Sequence, residues 1–145
     1  MRKLILAAVT ASLAGPVAAA PLCDDLGFAG LLAACNRGET IKLTLASGQP
    51  LGEDTVLQSG AYYKLEITAD GSAELAIEGP SFFRAIWMNE IVINSIEIRP
   101  MAIDSIEFDK AGTAELSFIA IKPGSHTVRI PGSTGDAQSV TFSIQ

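Results

Sequence analysis

Apolar and polar residues alternate with a period of two along most of the chain after Gly38. The alternation is clearest where polar residues separate Ile41, Leu43 and Leu45, and it is typical of a half-buried β-strand. About eight such stretches follow one another, and Gly, Pro, Asn or Asp residues separate them. They cover residues 41–45, 63–67, 75–77, 91–98, 106–108, 116–120, 126–130 and 140–144, and residues 91–98 are predicted as a tight hairpin around Asn94-Ser95.

This arrangement predicts an all-β fold. Short strands at intervals of roughly 8–12 residues, with turn signals between them, favour an antiparallel β-sandwich. No long amphipathic helical pattern follows residue 36. We expect a single domain over residues 21–145, because about 125 residues are enough to bury a core of their own.

The first 20 residues have the layout of a secretory signal peptide. A basic start at residues 1–3 precedes an apolar run from Leu4 to Leu13, and small residues follow. The run is shorter than the stretch of about 20 apolar residues that a membrane-spanning helix needs. Cys23 lacks the small preceding residue of a lipid-bearing cysteine. We therefore expect a periplasmic or secreted protein without a membrane anchor, cut after Ala19 or close to it.

Loss of that segment makes the protein more acidic. The ten Lys and Arg residues fall to eight without Arg2 and Lys3, against 16 Asp and Glu residues, so the net charge is near −8. A domain of this charge is a poor candidate for binding nucleic acid or an anionic membrane surface. Basic partners and cations remain compatible with it.

Two cysteines, Cys23 and Cys35, remain after cleavage. In an oxidising compartment such a pair most often forms a disulfide. The segment between them resembles a short helix, yet a straight helix of that length would hold the cysteines about 18 Å apart. A disulfide needs Cα atoms within about 7 Å. We expect the disulfide, with a short helix that Gly27 or Gly30 interrupts so that the chain folds back.

Three segments resemble a cupredoxin domain of the plastocyanin type. Residues 112–118 and 122–130 are similar to the closing half of such a domain, in which a strand runs into a Pro-Gly turn. In that family the next strand carries an aromatic residue two positions after the glycine, and His126 stands there in this chain. Residues 63–71 resemble the family's central strand and turn. The resemblance implies a Greek-key β-sandwich, cupredoxin-like, with a short helix before it.

The copper ligands of that family are missing. A blue-copper site needs two histidines, a cysteine and usually an axial methionine. Ile130 stands near the position of the cysteine, and no histidine lies near residues 73–75, where the first would fall. The chain contains one histidine in total, so the ligand count excludes a blue-copper electron-transfer site.

A different copper site remains an alternative. Met88 and Met101 offer thioethers that suit Cu(I), and His126, with Glu90, could complete a Cu(I) or Cu(II) carrier. Against this, His126 is in phase with the apolar residues of its strand, and methionines often fill gaps in a core. The carboxylates of residues 90–109 lack EF-hand spacing, and we interpret them as a solvated strand face. They are Glu90, Glu97, Asp104, Glu107 and Asp109.

Phe82, Phe83, Arg84 and Trp87 belong to the densest aromatic cluster of the chain. In a helical turn, Phe82 would align with Ile86 and Phe83 with Trp87, giving two apolar pairs. One pair could cap the sandwich. The other pair, if exposed beside Arg84, would resemble a protein-binding hot spot.

No arrangement typical of a catalytic site is present in the sequence. We therefore expect a non-catalytic, exported binding or accessory module, linked either to copper or iron handling or to a protein partner. The copper carrier is the first alternative, and a small secreted enzyme with an unrecognised site is the second.

Overall fold

A computed structural model describes residues 21–145, so the predicted signal peptide lies outside the described residues. Ten strands form two five-stranded sheets. Their bounds are β1 Ile41–Leu45, β2 Thr55–Leu57, β3 Tyr62–Ala69, β4 Leu75–Glu78, β5 Ile86–Ile93, β6 Ile96–Ile98, β7 Ser105–Phe108, β8 Gly112–Ala120, β9 Gly124–Arg129 and β10 Ser139–Ile144. The remaining regular elements are one helical turn, Pro80–Phe83, and three 3₁₀ segments, Gly27–Leu32, Ala34–Asn36 and Asp136–Gln138. None of the helices in residues 21–145 has the length and apolar character needed to cross a membrane.

The sheets have the orders β1-β3-β8-β5-β6 and β2-β10-β9-β4-β7. Most neighbours are antiparallel, as in the predicted sandwich, while β1 with β3 and β2 with β10 are parallel. The chain passes from the first sheet to the second between β1 and β2. This leaves β1 and β2 as edge strands on one side of the sandwich, and β6 and β7 as edge strands on the other.

The alternation in the sequence predicts the core-facing positions. In β1 and β10 every second residue is buried, because successive side chains of a strand point to opposite faces. Strand β2 escaped prediction, since it has three residues and only Leu57 is buried. The hairpin around Asn94 and Ser95 is confirmed. Both residues have positive φ, 48° and 66°, as a two-residue turn between antiparallel strands often requires.

A cluster of phenylalanine rings fills the centre of the core. Phe82 is fully buried, with its ring centroid 4.5 Å from that of Phe142, 5.4 Å from Phe118 and 5.6 Å from Phe83. Phe118 lies on β8 and Phe142 on β10, so the helical turn inserts its first ring between the two sheets. Aromatic rings at these distances add to the stability that burial alone provides.

The predicted disulfide joins Cys23 to Cys35, whose Cα atoms are 5.7 Å apart. The chain folds back at Gly30, where φ is 57° and ψ is −140°, so the two 3₁₀ segments replace one straight helix. Asn36 ties this segment to the sandwich. Its fully buried side chain donates to the carbonyl oxygens of Leu31 and Gly60 and accepts from the backbone N–H of Leu22.

Candidate functional site

The two methionines proposed as copper ligands lie in different surroundings. Met88 is on β5, opposite the fully buried Phe118, and packs against the core. Met101 lies in the loop between β6 and β7 and is fully exposed. One thioether is therefore packed among core side chains while the other projects into solvent.

His126 faces inwards from β9, in the second sheet, opposite Phe142. It is 9% exposed, and its Nε2 atom lies 3.1 Å from the carbonyl oxygen of Lys122. A carbonyl can only accept, so Nε2 carries the proton and donates this bond. Nε2 therefore bonds to the backbone, which agrees with the interpretation of His126 as a structural residue.

Glu90 is held by an arginine. Its carboxylate lies 2.7 Å from Arg99 Nη1, and Arg99 Nη2 lies 3.1 Å from the carboxylate of Glu97. The structure therefore places Met88, Met101, His126 and Glu90 on separate elements, each with its own surroundings. These four residues do not fit a copper ion as a ligand set.

The structure buries two residues of the aromatic cluster, Phe82 and Phe83, and exposes the other two, Arg84 and Trp87, which differs from the predicted pairs. Phe82 and Phe83 are both buried, so they cannot contact a partner, and their placement in the partner surface is corrected. The helical turn ends at Phe83 and β5 begins at Ile86, so the helical spacing does not extend to Trp87. Trp87 instead lies on β5 opposite Ile119 and is 48% exposed. Arg84 is exposed, with Nη2 3.5 Å from a carboxylate oxygen of Asp104.

A second set of exposed apolar residues follows Trp87. It comprises Ile93, Ile96, Ile98 and Met101, which we call the hairpin patch. Ile98 lies opposite the buried Ile91, and Ile96 opposite Ile93, so the three exposed isoleucines are on the core-facing side of β5 and β6. They are nevertheless exposed, at 36% to 64%, because the edge of the first sheet extends beyond the cover of the second.

Sequence reasoning did not identify the hairpin patch. The alternation Ile96-Glu97-Ile98 is the same as that of a buried strand, and it cannot show whether an opposing sheet covers the apolar face. The position of this strand in the sequence could have predicted an edge strand. It follows a tight hairpin and ends at Arg99-Pro100, and charged residues and proline are common at a sheet edge.

Three carboxylates gather beside β7. Oxygens of Glu74, Glu107 and Asp109 lie within 4.8 Å of one another, and all three side chains are exposed. The pKa of Glu74 is raised by its hydrogen bond with Glu107 and by the nearby negative charges of Asp109 and Glu107. The pKa of Asp70 is lowered, because the hydroxyl and the backbone N–H of Ser72 donate to its carboxylate.

A groove of about 680 Å³ runs between the edge strands β1 and β2. Ile41, Val56 and Tyr63 supply apolar surface, and Glu39 and Glu53 lie along it. The groove is on the opposite side of the sandwich from β6 and β7. None of the candidate site residues that the sequence indicated lies in it, so Val56 is a suitable control position.

The fold is similar to that of copper oxidase domains. The multi-copper oxidase from Pseudomonas thermotolerans matches 74% of this chain and 29% of its own, with 15% identity and a TM-score of 0.53. The Blue Copper Oxidase from Nitrosomonas europaea matches 63% of this chain and 30% of its own, with 12% identity and a TM-score of 0.49. The chain thus spans less than a third of the length of these structures.

Sequence comparisons add nothing to this similarity. No model of a known protein family matches the chain, and no curated protein is significantly similar to it. The similarity of structure, at this level of identity, concerns the fold. Residues 21–145 form a β-sandwich with a cupredoxin-like fold, and the expected fold class is confirmed.

Proposed function

We propose that this protein is an exported, non-catalytic binding module that recognises a protein partner through the β5–β6 hairpin and the loop after it. One observation carries the proposal. Large apolar side chains are exposed at the four positions of the hairpin patch, and Ile93, Ile96 and Ile98 share one face of the β5–β6 hairpin. Contiguous exposed apolar surface of this kind typically marks an interaction site.

Export is supported by two independent features. The first 20 residues have the layout of a signal peptide. The Cys23–Cys35 disulfide suits an oxidising compartment such as the periplasm or the extracellular medium. Trp87 lies on the opposite face of β5 from Ile93, so it is a separate candidate contact, and tryptophan is enriched among the residues that dominate binding energy at protein interfaces.

We assign any link to copper handling to the partner protein, and not to a metal ion that this chain binds itself. One neighbour in fold is named a multi-copper oxidase, which makes copper handling the process to examine first. The four candidate ligands do not form a site here. We therefore favour a module that contacts a metal-handling protein over one that carries copper or iron itself.

A photo-crosslinking residue placed at position 96 tests this proposal. The matched control is position 56, because Ile96 and Val56 are both 64% exposed and lie on edge strands at opposite sides of the sandwich. In the periplasmic or extracellular fraction of the producing cell, we expect one discrete heterologous adduct from position 96 and none from position 56. Equal adducts from both positions, or none from position 96, would refute the proposed surface.

A further inference from the structure

A cavity of about 240 Å³ opens on the outer face of the first sheet, and we call it the outer-face cavity. Ser117 lies between Leu116 and Phe118 on β8, which are fully buried in the core, so its own side chain points to the outer face. The hairpin patch is on the core-facing side of the same sheet, so the two features are separate. The lining of the cavity is polar or charged at six positions, which are Arg37, Thr40, Tyr62, Lys64, Glu90 and Ser117.

Ser117 lies at the centre of this lining. It is 3% exposed and pairs with Lys64 of β3 on one side and with Glu90 of β5 on the other. Its hydroxyl makes no hydrogen bond to another side chain or to the backbone within residues 21–145, and no side-chain oxygen or nitrogen there is both enclosed and unpaired. The hydroxyl therefore opens into the cavity. Because a hydroxyl in a buried position costs free energy unless it is paired, this group is available to a ligand.

A β-bulge in β5 brings two polar side chains to the same surface. The register with β8 shifts between Met88 and Glu90, so Asn89 is an extra residue. Asn89 donates a hydrogen bond of 3.4 Å to the Tyr62 hydroxyl, and Glu90 lies opposite Ser117. In a regular strand, Asn89 and Glu90 would point to opposite faces. Bulges are common next to active sites, where they redirect a side chain.

The charges around the outer-face cavity leave one positive group without a partner. Lys64 lies 2.6 Å from the carboxylate of Glu115, and Glu90 lies 2.7 Å from Arg99. Arg37 takes part in none of the ion pairs formed within residues 21–145. A guanidinium is planar and matches the geometry of a carboxylate. The cavity therefore combines a site for one carboxylate with hydroxyl groups that can donate or accept.

We propose that the outer-face cavity binds a single sugar acid, a small molecule with one carboxylate and several hydroxyls. The Arg37 guanidinium holds the carboxylate. The hydroxyls of Ser117 and Tyr62 exchange hydrogen bonds with those of the ligand, and Glu90 accepts a further one. The volume lies below the range of about 300–1,000 Å³ typical of sites for drug-sized ligands, so the ligand is small. This inference goes beyond the proposed function and does not depend on it.

Other ligands satisfy fewer of these groups. Sulfate or phosphate would fill only part of the volume and would bring a like charge towards the carboxylate of Glu90. A neutral sugar would leave Arg37 without a counter-charge. An apolar ligand would cover the hydroxyls of Ser117 and Tyr62 without pairing them, which is costly.

The test titrates the ¹⁵N-labelled mature protein with four probes, which are glucuronate, galacturonate, glucose and sulfate, and amide chemical shifts locate the binding site. Glucuronate and glucose share a ring and differ in the carboxylate. We expect at least one of the two uronates to shift the amides of residues 37–40, 62–64, 90 and 117, and to bind more weakly as salt is added. We expect glucose to leave these amides unchanged, and sulfate to bind about tenfold more weakly, because it lacks the hydroxyl contacts.

Variants with matched controls test the assigned groups. Arg37→Gln should weaken uronate binding about tenfold, since hydrogen bonds between charged groups are the stronger ones. Its control, Arg129→Gln, changes the net charge equally on the second sheet and should leave the affinity unchanged. Ser117→Ala should weaken binding about fivefold, as expected for one hydrogen bond, and its control Ser143→Ala on β10 should not. Thr40→Val removes a hydroxyl of the same cavity at an exposed position, where packing is not disturbed, and should also weaken binding.

Each outcome decides the inference. Uronate-selective shifts at the cavity, with the expected pattern among the variants, support it. Equal binding of glucose would show that the charge of Arg37 has no role, and equal binding of sulfate would show a site for any anion. Either result overturns the inference, as does the absence of shifts at these amides with both uronates. None of the variants changes the hairpin patch, so the proposed partner surface is tested separately.

Discussion

His126 donates a hydrogen bond from Nε2 to the carbonyl oxygen of Lys122, over a distance of 3.1 Å. The bond spans the corner that leads into β9, and Gly124, at the centre of this corner, has a φ of 143°. A side chain at Gly124 would lie 3.3 Å from the same imidazole nitrogen. The histidine that was a candidate copper ligand therefore serves to hold a backbone turn.

Replacing His126 by leucine should destabilise the fold. The change leaves the Lys122 carbonyl without its donor in a half-buried corner, which costs about 1–3 kcal/mol. Urea denaturation at constant pH measures the loss. Thr127→Ala, an exposed neighbour on the same strand, is the control and should be nearly neutral. Unchanged stability of His126→Leu would contradict the structural role.

Phe82→Ala should cost much more stability than Trp87→Ala. Phe82 is fully buried among three other rings, and truncating such a side chain costs about 3–5 kcal/mol. Trp87 is half exposed at the surface, so its truncation should cost less than about 1 kcal/mol. Thermal unfolding compares the two variants. If Trp87→Ala proved as destabilising as Phe82→Ala, Trp87 would belong to the core and would no longer be a candidate contact.

Removing the disulfide should release the segment before β1. Closing a loop of this length contributes about 3 kcal/mol in the chain-entropy model. We expect the double variant Cys23→Ser and Cys35→Ser to lose that amount in chemical denaturation, and the parent protein to lose the same amount in reductant. The buried Asn36 still anchors the segment through its hydrogen bonds, so the sandwich itself should remain folded. Complete unfolding of the variant would show that this segment is integral to the core.

Stability should respond to pH through Glu74. Its pKa is raised in the folded state, so the folded protein binds more protons than the unfolded chain as Glu74 titrates, and stability falls as the pH rises through the folded pKa. Glu74→Gln removes the repulsion from Glu107 and Asp109. We expect a higher melting temperature than the parent at pH 7, and a difference that vanishes in acid, once the pH is below the raised pKa of Glu74 and its carboxyl is neutral.

Salt provides the control for this pH effect, because it screens the repulsion between exposed carboxylates. The difference in melting temperature between Glu74→Gln and the parent should shrink as salt is added at pH 7. A parent that is the more stable of the two at pH 7 would show that the carboxylates do not repel one another in the folded state.

Much of the fold could be predicted from local patterns. The period of two located the strands and their buried positions, as in β10, and Asn94-Ser95 marked the tight hairpin. The conflict between a straight helix and the Cys23–Cys35 disulfide predicted a break at glycine, and Gly30 supplies it. Each of these features depends on neighbours in the sequence, which explains why sequence alone was sufficient.

The site was less predictable because it depends on what lies opposite each strand. Phe82 and Trp87 are five residues apart, yet one enters the core and the other faces solvent, since a strand begins between them. Ile96 and Ile98 have the pattern of buried residues but lie beyond the cover of the second sheet. Glu74 joins Glu107 and Asp109 through the pairing of β4 with β7, which spacing along the chain does not reveal.

Native mass spectrometry of the protein recovered from its own compartment tests the central claim most directly, because one spectrum reports both a bound metal ion and a bound protein. We expect a complex with a second polypeptide and no added mass of copper or iron on the free chain. The complex should be lost in Ile96→Ser and retained in Val56→Ser. A stoichiometric copper ion on the chain, with no polypeptide complex in any of the three forms, would contradict the account.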